Sequence, residues 1–306
     1  MATFSDYLKN IFFIILLLQF APPLLKNIKN QYANLLEPQT KVGVLTIKGA
    51  ILDSNYYTKY LRKYFHDCDI KAILLKIESP GGAAGSSEAI SHEIELLKKE
   101  CPKPIISLVE NICASGGYYI AASTDYIIAP PSALIGSIGT YIPFQFKLKD
   151  FIEHYKITYN VIKAGDYKIA TDPFVNPTPE LNSMLQSVAD DSYKNFTHYV
   201  AKHRTKLSLD NVKEWANGKI FTGSQAQKLG IIDELGSYSD AIKIIKDKAI
   251  IEGKIEWVQP QRQGGLLGML SGNQDTADND DSIISNAVNN ICLTLEERYG
   301  NKTTIQ

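Results

Sequence analysis

The chain has 306 residues, of which 21% are charged, and its formal net charge is −1. A charge balance this close to zero gives no sign of the basic surface that nucleic-acid-binding proteins present. The four cysteines have neither the paired spacing of a metal site nor the compact framework of a disulfide-rich protein. The length fits one α/β domain of roughly 200 to 250 residues with additional segments at its ends.

The N-terminal segment contains an apolar run from residue 11 to residue 20, followed by two prolines at positions 22 and 23. The run is short for a transmembrane helix, which needs about 20 apolar residues. It is nevertheless too apolar for a soluble linker, and no clear small-residue cleavage site follows it. We therefore expect an uncleaved membrane anchor or interfacial segment here, with a cleaved signal peptide as the alternative.

Strands and helices are predicted to alternate beyond this segment. Residues 41–47 alternate in polarity like a strand, and residues 72–77, 105–109 and 126–129 are short apolar runs typical of buried strands. Between them lie helical patterns, one of which begins near Ser86. Alternating strands and helices indicate βα units, so the sequence predicts an α/β fold.

Two glycine-containing segments follow predicted strands. Residues 78–82 read Glu-Ser-Pro-Gly-Gly, and residues 111–122 read Asn-Ile-Cys-Ala-Ser-Gly-Gly-Tyr-Tyr-Ile-Ala-Ala. The second segment puts the hydroxyl of Ser115 where a helix should begin. Glycines let a substrate backbone approach closely, and amides of a first helical turn can face a developing oxyanion. The segment therefore suits a serine nucleophile, although it also suits an ordinary turn that opens a buried helix.

A serine nucleophile needs a base within hydrogen-bonding reach. None of the five histidines lies in a glycine-rich or turn context that resembles a catalytic loop. A lysine can replace histidine only where its surroundings favour the neutral amine. The segment around Lys168, Ala-Gly-Asp-Tyr-Lys-Ile-Ala, does not mark it as such a base, because most lysines in such a setting are solvated surface groups; only the resemblance described next implies that role.

Four motifs together resemble the signal peptide peptidase A family of membrane-associated serine proteases. They are Ser-Pro-Gly-Gly at 79–82, Ala-Ser-Gly-Gly-Tyr at 114–118, Gly-Ser-Ile-Gly at 136–139, and a lysine at 168 shortly before Pro-Phe at 173–174. The likeness extends from about residue 41 to about residue 251, with order and spacing kept. The resemblance implies a ClpP/crotonase-like ββα superhelix.

The resemblance also implies a role for each site residue. Ser115 would be the nucleophile and Lys168 the general base, held in place by the hydroxyl of Ser137. The amides of Gly82 and Gly116 would form the oxyanion hole. The reaction would proceed through an acyl-enzyme, with no metal and no other cofactor. Short members of the family assemble into rings, so Ser115 and Lys168 would pair either within one subunit or between neighbours.

The expected organisation has four parts: an N-terminal apolar anchor and linker (1–40), a serine protease domain (41–258), a flexible linker (259–281), and a C-terminal docking helix with a tail (282–306). Expected partners are peptide substrates such as remnant signal peptides, a membrane, and further copies in a homo-oligomeric ring, with no nucleic acid. The expected location is the bacterial inner (cytoplasmic) membrane, with the side of the catalytic domain open.

Two other functions stay open, namely a non-catalytic membrane scaffold of the same fold and a crotonase-like acyl-coenzyme A enzyme. For a peptidase, Ile138, Tyr141 and Ile142 predict apolar walls for the substrate pocket. Such a pocket favours small or medium apolar residues and disfavours charged ones, which it cannot solvate.

Overall fold

The computed structural model of the protein describes residues 39–142 and 146–260. The predictions made for residues 1–38 and 261–306, including the apolar anchor and the C-terminal docking helix, lie outside the described residues. Within the described part of the chain, no helix combines the length and the apolar character needed to cross a membrane.

The first half of the domain consists of three long strands, each followed by a helix. The order is β1 (Gln39–Ile51), α1 (Asn55–His66), β2 (Ile70–Gly82), α2 (Ala84–Glu100), β3 (Ile105–Ala114) and α3 (Gly116–Ala122). The apolar runs that predicted strands lie inside β1, β2 and β3, and the two glycine-containing segments lie at the ends of β2 and β3.

The second half is built from shorter strands around one long helix. Its elements are β4 (Tyr126–Ala129), β5 (Leu134–Gly136), α4 (Lys149–His154), α5 (Pro179–His203), a 3-10 turn (Leu209–Asn211), α6 (Val212–Trp215), β6 (Ile220–Thr222), α7 (Gly223–Leu229), β7 (Glu234–Leu235), α8 (Tyr238–Ala249) and β8 (Lys254–Val258).

The strands form one sheet in the order β6-β5-β3-β2-β1-β8, and β4 pairs with both β3 and β7 beside this path. All pairings are parallel except that of β5 with β6. Parallel sheets are normally covered on both faces, and here successive residues of β1 belong to different cores. Leu45 and Ile47 join the larger core cluster, whereas Val42 and Val44 join a smaller one that includes residues of α8. The α/β prediction is confirmed.

The site lies at the carboxyl ends of the two central strands. β2 and β3 are parallel neighbours, and Ser79 pairs with Cys113 near their ends. The Gly81-Gly82 segment and the residue that follows β3, Ser115, therefore meet at one edge of the sheet. Ligands of open α/β sheets commonly bind at this edge, outside the carboxyl ends of the strands.

Candidate active site

Ser115 connects β3 to α3 in an unusual backbone conformation, with φ 51° and ψ −123°. A non-glycine residue in such a region costs about 1–3 kcal/mol and persists only where its surroundings hold it. Its amide donates to the Gly136 carbonyl at 2.8 Å, and its carbonyl accepts from the Tyr119 amide at 2.9 Å. The half-buried side chain makes no hydrogen bond with the described residues. This sharp turn thus fixes the backbone and presents the hydroxyl, as the nucleophile elbow does in α/β-hydrolases.

The glycines of the two motifs allow their backbones to approach each other. Gly81 has φ 103°, and a Cβ added there would lie 2.7 Å from the Ser115 Cβ and 2.8 Å from the Gly116 amide nitrogen. A Cβ added at Gly116 would lie 3.5 Å from the Gly82 amide nitrogen. The amides of Gly82 and Gly116, the predicted oxyanion pair, are therefore close to each other and to Ser115.

Two cavities meet at Ser115. The larger cavity, of about 770 Å³, is lined by Ser115 and Gly82 together with Ser137. The smaller cavity, of about 460 Å³, is lined by Ser115 and Gly82 together with Gly116. The structure thus brings four of the five predicted site residues around one point. Both cavities suit a substrate chain that passes over the serine hydroxyl.

Ser137 follows β5 and also has a positive φ, 49°. Its amide donates to the Lys219 carbonyl at 2.7 Å, which ties this turn to the start of β6. A neighbouring contact closes the larger cavity, because the Thr140 hydroxyl donates to the Ala189 carbonyl of α5 at 2.8 Å. Ser137 therefore lies on a wall that is held to Lys219 by a backbone hydrogen bond and to α5 by the Thr140 side chain.

Lys168 of the same chain is not among the residues that surround Ser115. It is exposed, it lies in a turn in which its amide donates to the Gly165 carbonyl at 3.3 Å, and it lines neither cavity. Among the described residues, no lysine, histidine or arginine lines either cavity. A single copy therefore presents Ser115 without a basic side chain in its described surroundings.

A model of peptidase family S49 matches residues 97–252, which include Ser115, Ser137 and Lys168. The chain belongs to this family. A relative in Methanocaldococcus jannaschii is 36% identical, over 71% of this chain and 69% of the relative. Protease 4 of Haemophilus influenzae is 31% identical, over 76% of this chain and 40% of the relative. The chloroplastic serine protease SPPA of Arabidopsis thaliana is 32% identical, over 75% of this chain and 34% of the relative.

These S49 relatives place the chain in the signal peptide peptidase SppA family, as its motifs predict. The chain spans between 34% and 69% of the lengths of the three relatives. The matched region begins after Gly82, so the first of the two glycine-containing motifs lies outside it.

The pocket walls of this S49 member differ from those that the sequence predicts. Tyr141 lines both cavities, but Ile138 is fully buried in the core and Ile142 lines neither cavity. The smaller cavity is walled instead by Tyr119 of α3 and Phe196 of α5, whose rings lie 5.0 Å apart. The prediction for Ile138 is wrong because its side chain packs inward from the turn after β5. A helix far along the chain supplies the missing wall, which no local pattern reveals.

Cys113, two residues before Ser115, is not a second nucleophile. Its side chain is completely buried, and burial raises the pKa of its thiol far above the ordinary value. A thiol in such surroundings stays protonated and behaves as a small apolar group. The hydroxyl of Ser115 is therefore the nucleophile candidate at the end of β3.

Proposed function

We propose that this protein is a membrane-associated serine endopeptidase of the signal peptide peptidase type. The observation that carries the proposal is the strained, half-buried Ser115 at the junction of two cavities beside two backbone amides, in a chain of family S49. An oxyanion hole built from backbone amides acts mainly on the tetrahedral intermediates of acyl transfer. Peptide hydrolysis is the acyl transfer to which the names of the relatives point.

The proposed reaction has two halves. The Ser115 hydroxyl oxygen attacks the peptide carbonyl carbon while its proton passes to the neutral amine of Lys168. The amides of Gly82 and Gly116 stabilise the oxyanion, and the intermediate collapses when the leaving amine takes the proton from the lysine. Water then attacks the acyl ester and gives one proton to the lysine. When the second tetrahedral intermediate collapses, the lysine returns that proton to the Ser115 oxygen, which releases the acid and restores the neutral amine. No metal or nucleotide takes part.

We further propose that Lys168 acts on Ser115 of a neighbouring subunit. The reason is that the described cavities contain no basic side chain, whereas Lys168 lies in an exposed segment of the same chain. That segment also carries exposed apolar side chains, namely Tyr155, Ile157, Ile162 and Tyr167. Clustered apolar exposure is typical of an interaction surface. A ring of copies would cover these side chains and bring the lysine of one subunit to Ser137 of the next.

The finer parts of the proposal follow from the family motifs. The core would be a ClpP/crotonase-like ββα superhelix. Residues 1–40 would hold the enzyme at the bacterial inner membrane, and its substrates would be remnant signal peptides and other short or unfolded segments. Such peptides fit open cavities that contact both sides of the scissile bond.

Covalent labelling tests the proposal. The full chain, extracted in detergent, is treated with a fluorophosphonate probe, and the modified residue is located by mass spectrometry. We expect labelling at Ser115 and none in Ser115→Ala. Ser192→Ala is the matched control, because Ser192 lines the smaller cavity and should not be needed for labelling. An unlabelled wild-type chain that still assembles would instead favour a non-catalytic scaffold.

A further inference from the structure

The two cavities receive different sides of the substrate. The smaller cavity contains both predicted oxyanion amides, those of Gly82 and Gly116, whereas Ser137, the predicted partner of the lysine, lines only the larger one. The base must protonate the leaving amine, so the leaving side of the peptide lies with Ser137. The smaller cavity then receives the side chain on the acyl side of the scissile bond, which we term the acyl residue.

The smaller cavity combines aromatic walls with one acidic side chain. Tyr119 and Phe196 form its walls, and Tyr119 is further fixed by stacking on Tyr199 at a centroid distance of 4.1 Å. Glu88 of α2 also lines the cavity and is half-buried. Burial raises the pKa of the Tyr119 hydroxyl, and the negative charge of Glu88 raises it further. The Glu88 carboxylate therefore lies within electrostatic reach of this aromatic wall.

Glu88 makes no ion pair and no hydrogen bond with the described residues. The other carboxylates of α2 that face neighbouring elements are paired: Glu93 with Arg62, and Glu95 with Lys202 and His203. A partly desolvated carboxylate without a partner is unfavourable, and a cation that enters the cavity relieves that cost. Lysine and arginine are suited to such a site, since their aliphatic stems pack on aromatic rings while the charge reaches the carboxylate.

We propose that Glu88 gives the enzyme a preference for lysine or arginine as the acyl residue over an uncharged side chain of equal length. This inference rests on the proposed peptidase function. It replaces the expectation that charged residues are disfavoured, because the pocket wall includes a carboxylate that the sequence did not place there. The positively charged n-regions of secretory signal peptides contain such residues.

The test uses two fluorogenic peptides that differ only in the acyl residue, lysine in one and norleucine in the other. For the full-length enzyme we expect kcat/KM to be about 5-fold higher for the lysine peptide, as for a partly exposed ion pair. Glu88→Gln should make the two kcat/KM values equal, because it lowers kcat/KM only for the lysine peptide. Glu88→Lys should favour norleucine. Glu100→Gln, on the same helix but outside both cavities, should keep the wild-type ratio.

Each other outcome is informative. If the wild-type enzyme cleaves both peptides but Glu88→Gln keeps the wild-type ratio, this inference is wrong and the proposed function stands. An equal loss on both peptides in Glu88→Gln would assign Glu88 a structural role and would also overturn the inference. If the wild-type enzyme cleaves neither peptide, or if Ser115→Ala cleaves them as fast as the wild type, the proposed function itself fails, and the inference fails with it.

Discussion

At the scale of single residues, the backbone conformation of Ser115 depends on the absence of a side chain at Gly81. Ser115 has the backbone conformation of a strained turn, and Gly81 gives it room because no Cβ fits between the two strand ends. The strain is tolerated because a hydrogen bond donated to β5 and another accepted from α3 hold both sides of the serine. Several backbone segments together, and not the serine alone, thus hold the Ser115 hydroxyl in its position.

Gly81→Ala should therefore remove activity and reduce stability. The new Cβ would clash with Ser115, and φ 103° is unfavourable for alanine, so we expect a loss of at least about 1–3 kcal/mol in unfolding free energy. Peptide hydrolysis and chemical denaturation measure the two effects. Gly85→Ala is the control, because an added Cβ there meets nothing within 4 Å. It should keep activity and leave stability equal or higher by about 0.5 kcal/mol. Equal behaviour of the two variants would contradict the account.

Lys168→Arg should abolish hydrolysis. Arginine stays protonated at any working pH, so it cannot accept the serine proton, although it keeps the positive charge. For the same reason the wild-type rate should rise with pH, since only a neutral lysine acts as a base. Rate measurements from pH 6 to 10 on both proteins check this. Substantial turnover by the arginine variant would refute the role of Lys168.

Much of the site could be predicted at the residue scale, but the lining of the smaller cavity could not. The glycines and Ser115 stand in contiguous motifs, so local sequence indicates both the turn and its chemistry. Glu88, Tyr119 and Phe196 meet only because α5 packs across α2 and α3. No local pattern contains that contact, and the wall that the sequence predicts at Ile138 proved to be part of the core.

The elements around the site are joined by a buried ion pair at the end of α5. Arg204 follows the helix and donates to both carboxylate oxygens of Asp233 at 2.9 Å. Asp233 also accepts from the Ile127 amide at 2.8 Å, which connects β4 to the segment before β7. Arg204 is only 8% exposed, so this link is much less accessible to water than an ordinary surface pair.

Asp233→Asn should strongly destabilise the domain. It removes the charge that compensates a buried guanidinium, and breaking a buried pair from one side costs about 3–5 kcal/mol. Denaturant unfolding followed by circular dichroism gives the value. Glu93→Gln should cost much less, because the Arg62 side chain that loses its partner is 61% exposed and stays in water. Equal losses in the two variants would show that the Arg204 pair is not the link described.

The contact between α2 and α5 should make stability depend on pH. Burial lowers the pKa of His203, although the hydrogen bond with Glu95 and the charge of Glu95 act to raise it. Burial opposes ionisation of Glu95, but hydrogen bonds from Lys202 and His203 lower its pKa overall. Both groups then bind protons more readily in the unfolded chain, so stability should be full near pH 7 and fall as the pH drops below about 6.5.

Melting temperatures between pH 7.5 and 5 test this. The Tm of the wild type should decrease as the pH falls, and the Tm of His203→Gln should decrease less over the same range. The exposed His92 provides the control, because His92→Gln should keep the wild-type slope. A His203→Gln variant with an unchanged slope would exclude the contact as the cause.

Strand prediction succeeded for the three long strands and for the apolar strand β4, and failed for the other short strands. β1, β2, β3 and β4 coincide with apolar or alternating runs, whereas β5, β6, β7 and β8 are two to five residues long and were not foreseen. Short strands carry too few residues to establish a period, and their pairing is decided by the sheet that they join. β5 matters most, since it positions Ser137.

At the scale of the whole molecule, one copy provides the proposed nucleophile, the proposed oxyanion amides and both cavities, but no basic group among the described cavity residues. The proposed ring supplies that group from the exposed segment around Lys168. Any number of copies satisfies this arrangement, provided that each active site combines residues from two chains.

Complementation between two inactive variants tests whether Ser115 of one subunit pairs with Lys168 of its neighbour. Ser115→Ala and Lys168→Ala are co-expressed with different tags, and mixed particles are isolated by sequential affinity steps. Each variant alone should be inactive, whereas mixed particles should recover up to about a quarter of the wild-type rate per subunit if the chains mix at random. Mixed particles that stay inactive, although Ser115 and Lys168 are each required, would show that the two residues do not pair across subunits.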